Sequence, residues 1–451
     1  MNFKIKIIFI FLVFLFVNKN LSAQSVILES YVKDGFESNK IINQQGLLVK
    51  KADLAIEEAN DLKKPQVNFN FTYTLAAGGR AIDFPIGDIL NPVYNNLNKQ
   101  LVAQGKTPQF TDLQNQKVTF LPNNFYDTRF RTTYPLLNPD IRLNKTAKEL
   151  QRDLMLPDVE IAKKDLEKDI KSTYFRYLQA NQALKIFDYA LGLLQEVKRM
   201  NESMVRNDIA IPSILYRVKN DMAKVTAQKI ELQNNLKNAQ LLFNTLINKP
   251  LETKIEIDTF FYAFNSTIAK STEVIEVNNR AEVSKIMQAA KLLHLKSSFE
   301  QSYYKPRIGT FLDLGSQGYV YKDQFKLYFL GGITVDYPIW DAHRNHKRIE
   351  QAGLDEKAFS EQSAYLKDQL TLQAKVKQND YNSAIEVFET TKSQVDLTKR
   401  YYRDTQKRYI EGQAIYLELS DAHTQLLNAE LQQSIALMNI WIRKTELERV
   451  K

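Results

Sequence analysis

The sequence contains no cysteine. That excludes disulfides, thiolate metal sites, a cysteine nucleophile and a lipid carried on an N-terminal cysteine. Beyond its first 23 residues it has no apolar run approaching the roughly 20 residues that a membrane-crossing helix needs, so no transmembrane helix is expected in the mature chain. Glycine is sparse, 14 in 451 residues, and histidine sparser, with 4. Gly78-Gly79-Arg80 lacks the strand–helix setting of a phosphate loop, and no Ser/His/Asp constellation or zinc-spaced cluster is present. His343 and His346 stand three apart, but His294 and His423 are remote in sequence, so the pair reads as incidental. No catalytic residue, metal or cofactor is expected. Charge of one sign is not concentrated either. The net charge is +9, of which Lys4, Lys6 and Lys19 contribute three, leaving +6 spread along the remainder. Without a basic cluster interleaved with aromatics, nucleic acid is not an expected partner.

What is present begins with a leader. Met1-Asn2-Phe3-Lys4-Ile5-Lys6 is a short basic start, Ile7 to Val17 is unbroken apolar sequence, and Leu21-Ser22-Ala23 ends in small residues. This is the pattern of a secretory signal peptide over residues 1–23, with cleavage between Ala23 and Gln24. The remainder is rich enough in hydrophobic residues, 44% of the chain, to bury a core.

The periodicity then alternates between helix and strand. Residues 26–64 repeat with a helical period until Pro65 stops them. Val67, Phe69, Phe71, Tyr73 and Leu75 alternate with Asn68, Asn70, Thr72 and Thr74, which predicts a strand over about 66–76. Residues 80–124 carry four prolines and no sustained period, and read as a long external loop. A second strand is expected over about 125–134, with Tyr126, Thr128, Phe130, Thr132 and Tyr134 facing one way and Asp127, Arg129 and Arg131 the other. A long helix over about 141–206 follows, then a corner, a helix over about 213–248 and an irregular connector to 270. The order then repeats in 271–451. It gives a helix, strands over about 307–315 and 325–337, a long helix over about 342–409, a corner at Gly412, and a helix over about 413–449. In the second copy Lys326 joins the polar strand face. Each long helix would reach about 100 Å at 1.5 Å per residue. The chain thus reads as a duplication of helix, two strands, long helix, corner and helix, with 24–270 as the first structural repeat.

Four two-faced strands cannot close a barrel, and an open sheet edge cannot sit in lipid. The simplest resolution is an oligomer that pools strands. The alternative is an exported periplasmic coiled-coil scaffold or adaptor protein with a small soluble sheet.

The signal peptide, the duplicated order, the strand exit Tyr337-Pro338-Ile339-Trp340-Asp341, the corner Arg408-Tyr409-Ile410-Glu411-Gly412 and the following Leu417-Glu418-Leu419-Ser420-Asp421-Ala422 resemble the TolC family of outer-membrane efflux proteins. The resemblance spans essentially the whole mature chain and is closer in the second copy. It implies a mainly α fold with a small β portion. Three chains would form a homotrimer, their twelve strands closing one β-barrel in outer-membrane lipid and their helices forming a hollow barrel across the periplasm. Asp127, Arg129, Arg131 and Lys326 would then face the barrel lumen. It further implies a passive exit duct that docks through a periplasmic adaptor protein onto an inner-membrane pump. The two corners, Asp208-Ile209-Ala210-Ile211-Pro212 and Gly412-Gln413-Ala414-Ile415, would meet the adaptor at the periplasmic tip. Tyr409 matches a latch tyrosine, and Glu418 and Asp421 match acidic positions that ring the entrance. The sequence departs from the pattern at Ala414, where a latch arginine is common, at Asp208, where glycine is typical, and at Ile214, where an acidic partner for the tyrosine is expected. Arg217 and Lys219, just after the first corner, are positioned to pair with the acidic ring.

Overall fold

Helix α1 (Val26–Ser38) and helix α2 (Lys40–Asp61) precede strand β1 (Gln66–Thr74). Then come β2 (Ala81–Phe84), α3 (Ile86–Ala103), β3 (Gln116–Thr119), β4 (Phe125–Leu137), α4 (Pro139–Arg206) and α5 (Ser213–Leu246). The second half supplies α6 (Ala281–Ser302), β5 (Arg307–Tyr319), β6 (Lys326–Asp336), α7 (Arg344–Ile410) and α8 (Tyr416–Arg449). This computed structural model describes residues 25–263, 268–321 and 325–451, so the expected signal peptide and the expected cleavage between Ala23 and Gln24 lie outside the described residues.

The chain gathers into two compact units. One takes the described residues up to Leu54 with Glu149–His294 and Gly353–Lys451, the other Ala55–Lys148 with Leu295–Ala352. In the second unit four strands form one antiparallel sheet in the order β1-β4-β5-β6. The register pairs Phe69 with Phe130 and Phe130 with Leu314, so one face collects Val67, Phe69, Phe71, Phe130, Leu312, Leu314, Leu327, Phe329, Ile333 and Val335, most of them strongly exposed. The opposite face carries Asp127, Arg129, Arg131, Asp313 and Lys326. Asp313 is fully buried there, gripped from two sides by Arg131, with Nε donating to Oδ1 at 2.7 Å and Nη2 to Oδ2 at 2.6 Å. Such a two-point charge-assisted pair fixes both position and angle. The same guanidinium lies 5.6 Å over the Phe311 ring, and that ring is pressed against Gly332, where a Cβ would collide with it. Asp127 accepts from the Tyr328 hydroxyl at 3.1 Å and lies 3.2 Å from Arg129. The alternation that marks these strands in the sequence therefore separates an apolar face from a mutually paired polar one.

The stretch 80–124 is not a loop. Strands β2 and β3 pair as a short antiparallel ribbon, and α3 lies between them. Asn91 and Asn98, two turns apart on α3, hold the returning segment by its backbone. Asn91 donates to Leu113 O at 2.9 Å and accepts from Leu113 N at 2.8 Å. Asn98 donates to Phe110 O and accepts from the N–H groups of Gln109 and Phe110. Asn115 returns the favour at the helix start by accepting from Gly87 and Asp88 N–H. Pro92 and the many asparagines are poor helix formers, which hid the helix; side-chain hydrogen bonds to neighbouring chain supply what local propensity lacks.

Other boundaries differ for local reasons. The helical run 26–64 is two helices, because Asn39 adopts an extended conformation between them. Its Oδ1 accepts from Ile41 N at 2.9 Å and Ile42 N at 3.4 Å, capping α2, while its Nδ2 donates to Leu246 O at 3.0 Å. Helix α4 runs through Pro157 without ending. Helix α7 waits until Arg344, because Ala342 and His343 both hold positive φ, 56° and 61°, while the Asp341 carboxylate accepts from Asn345 N at 2.8 Å. Strand β5 extends to Tyr319, past the expected end near 315.

The first unit is organised around a core of Leu28, Tyr31, Ile170, Tyr174, Phe175, Leu178, Phe243, Phe261, Met438 and Trp441. Buried tyrosines need partners, and here they find them on the connector after α5. The Tyr174 hydroxyl donates to Glu256 O and accepts from Asp258 N, both at 2.9 Å. The Tyr31 hydroxyl accepts from Glu256 N at 3.0 Å, and Trp441 Nε1 donates to Phe261 O at 3.3 Å. Asn39 serves this core as both cap and bridge, so Asn39→Ala should lower unfolding stability by about 1–2 kcal/mol. Asn39→Asp, which keeps the capping oxygen, should lose less. Thermal unfolding of the two variants checks the order.

Candidate functional site

The two helix corners are the same turn built twice. At the first, Ile209 N–H bonds Met204 O at 2.9 Å and Asp208 N–H bonds Val205 O at 3.2 Å. At the second, Gln413 N–H bonds Arg408 O at 2.8 Å and Gly412 N–H bonds Tyr409 O at 3.1 Å. Each is a Schellman motif, in which the residue after the cap takes the left-handed conformation so that two orphan carbonyls are satisfied. That residue is Gly412 (φ 75°) in one copy and Asp208 (φ 54°) in the other. Glycine reaches this region without a Cβ clash; aspartate is one of the few residues that tolerates it. Around the turns, Ile209, Ile211 and Ile415 are exposed, as are Tyr216 and Leu417 just inside the outgoing helices. Ala210 is half-buried, and Asp208, Pro212, Gly412 and Gln413 are exposed.

Directly behind the corners lies an apolar cluster of Val197, Val218, Tyr402, Tyr409, Tyr416, Leu419, Ala422 and Leu426. Ile214 and Ala414 pack against it. The two positions expected to hold polar latch partners are therefore spent on packing, and the polar contacts are made by other residues. Tyr409 donates to Asn201 Oδ1 at 2.6 Å, and Asn201, fully buried, donates onward to Val197 O at 2.8 Å. Tyr416 donates to Asp221 Oδ2 at 2.9 Å, an oxygen that also accepts from Ser420 Oγ at 2.7 Å. The first bond ties α7 to α4 and the second ties α8 to α5. Burial pushes the Tyr409 hydroxyl up. Tyr416 is raised by burial and by the Asp221 carboxylate, so both stay protonated donors. Tyr402, buried beside them, is pushed up to about 12 by desolvation. His423 is buried too, and burial lowers its pKa. Its Nε2 lies 3.1 Å from Ala190 O, a contact that a neutral ring protonated at Nε2 makes as a donor.

Glu418, in the first turn of α8, is half-exposed and 3.9 Å from Arg408 Nη2. Asp421, one turn on, is exposed and accepts from Gln425 Nε2 at 2.7 Å. Arg408 sits in the last turn of α7, just before the corner that Glu418 follows, which brings the two together within one chain. Asn201, Asp221, Tyr416 and His423 were not singled out in the sequence. Tyr416 stands seven residues after Tyr409, a spacing that shares a helix face only when the helix is unbroken, and here a corner intervenes.

Residues 298–450 match the family model described as outer membrane efflux protein. Those 153 of the 451 residues are similar to that family. No curated protein sequence matches it. Among solved structures, the fold is similar to that of the outer-membrane channel OprN, at 15% identity and a TM-score of 0.71, covering 94% of this chain and 90% of that one. It is similar to VceC from Vibrio cholerae at 12% identity and TM-score 0.70, covering 94% and 95%. It is also similar to the open state of MtrE from Neisseria gonorrhoeae at 14% identity and TM-score 0.68, covering 94% and 88%. At these identities the structures show the fold, mainly helical with a small sheet portion, as the efflux-family resemblance implied. Both corners of this fold depend on one left-handed residue, but only one has the residue that suits it. Asp208→Gly should raise unfolding stability by up to about 1 kcal/mol, and Gly412→Ala should lower it by about 1 kcal/mol. Thermal unfolding of the pair should show opposite signs.

Proposed function

We propose that three copies of this chain form an outer-membrane exit duct that passes substrates from an inner-membrane pump to the exterior. The carrying observation is the four-stranded sheet. Its apolar face is exposed, and both its edges, β1 and β6, lack a partner strand among the described residues. A membrane sheet has to close on itself, and three such sheets side by side give a closed twelve-stranded barrel. The paired polar face with Asp127, Arg129, Arg131 and Lys326 then lines the lumen. An efflux-family span over 298–450 and channel-like folds at 94% coverage support the same reading. The chain serves transport and needs no catalytic residue or cofactor for it. Extraction tests this directly: the protein should leave membranes only with detergent and run as a trimer. A detergent-free soluble monomer would overturn the proposal.

The corners form the periplasmic mouth in this reading. Exposed Ile209, Ile211 and Ile415 offer an adaptor protein an apolar tip on two rigid turns. Tyr409–Asn201 and Tyr416–Asp221 hold the two helical hairpins of one chain to each other, so each chain's tip moves as a unit when the mouth opens. Glu418 and Asp421 from three chains place six carboxylates around the entrance, and a ring of that kind concentrates cations. Replacing both with alanine, Glu418→Ala and Asp421→Ala, should weaken block by multivalent cations on the order of tenfold, read as conductance in planar bilayers. Unchanged block would remove these residues from the constriction.

A further inference from the structure

The segment between β1 and β4 has an outer surface that its own chain does not cover. On α3, Ile89, Val93 and Leu97 recur at helical spacing and form one exposed stripe, with Ile89 64% exposed and Val93 51%. On the β2–β3 ribbon, Ile82 lies opposite Val118. Phe84 shares their face by the strand period, and all three are exposed. The surface is rigid: the asparagine bonds at positions 91, 98 and 115 fix the helix to the returning chain. A helix with an apolar stripe on a fixed support is built to bury that stripe against something.

We propose that this segment is an intersubunit clasp, its apolar surface docking on the neighbouring copy of the chain. The inference rests on the trimeric reading above. The segment leaves the sheet from β1, an edge strand, and returns into β4, the next strand inward. When the barrel closes, the strand on the far side of β1 is β6 of the next copy, so an insertion at this connection is bounded on its open side by that copy. The neighbour's β5–β6 end offers matching exposed aromatics, Tyr321 and Phe325. Composition argues against lipid as the occupant. A helix that lies in a membrane surface carries Lys and Arg on its polar face and Trp or Phe on the other. Here the helix has Lys99 as its single cation, no Trp or Phe, and a polar face of Asn and Gln.

The test places a photo-crosslinking p-benzoylphenylalanine at Phe84 or at Val93 in the full chain, expressed in intact cells. A control carries it at the exposed Lys106, off the apolar surface. Irradiation should shift the chain to dimer and trimer mass on a denaturing gel for positions 84 and 93 but not for 106. Adducts that stay at monomer mass mean that lipid or solvent covers the surface, and adducts of any other mass mean a different protein; either overturns the clasp. The unirradiated protein is sized in detergent in parallel. Absence of a trimer there would sink the duct itself, whereas a trimer without crosslinks would sink only the clasp.

Discussion

A sheet with one apolar face and two open edges cannot exist alone in a membrane. Each unpaired N–H and C=O in hydrocarbon costs several kcal/mol, so the edges must be closed by further strands. In the proposed duct the rest of the sheet is arranged around that requirement. Large side chains point to one side and are left exposed; charges point to the other and neutralise one another. Arg131 and Asp313 are the centre of this arrangement, because Asp313 is fully buried and its partner is supplied from the adjacent strand. Removing Arg131 would leave a buried carboxylate without the side chain that grips it, which costs more than the pair contributes.

The helical corners solve a different problem with the same economy. Both must reverse the chain within a few residues, and both do so with an identical pair of backbone bonds. What differs is the chemistry around them. Polar latch partners at Ile214 and Ala414 would have to be desolvated against Tyr409 and Leu419; apolar residues there extend the core instead. The hydrogen bonds move deeper, to Asn201 and Asp221, where each acceptor meets a tyrosine hydroxyl held protonated by burial.

Much of this was legible from the residues. The alternation of Val67 to Leu75 shows a strand because the side-chain period of a strand is strictly two. The isolated Gly412 shows a helix end because few other residues take its conformation. The helix at Ile86–Ala103 was not legible. Its apolar stripe is narrow, Pro92 interrupts it, and its stability comes from asparagine bonds to chain that lies up to 28 residues away. Asn39 was hidden likewise, since an asparagine within an apolar period reads as a tolerated polar residue until its backbone is seen to be extended. The partner of Tyr409 was beyond reach for a geometric reason: Asn201 is 208 residues distant, and only the register of two packed helices brings them together.

The pairing of β4 with β5 carries a consequence for the order of assembly. Arg131 and Asp313 are separated by 182 residues, so half of the sheet is made long before its partner strand exists. Contacts this distant in sequence form slowly, since the entropy of closing the intervening chain is spent before the contact returns anything. Until then β1 and β4 are a two-stranded ribbon with Phe69, Phe71 and Phe130 on one side and an open edge on the other, a species prone to stick to its own kind. Strand order alone thus leaves a nascent chain of this design with a sticky open ribbon until β5 has been made.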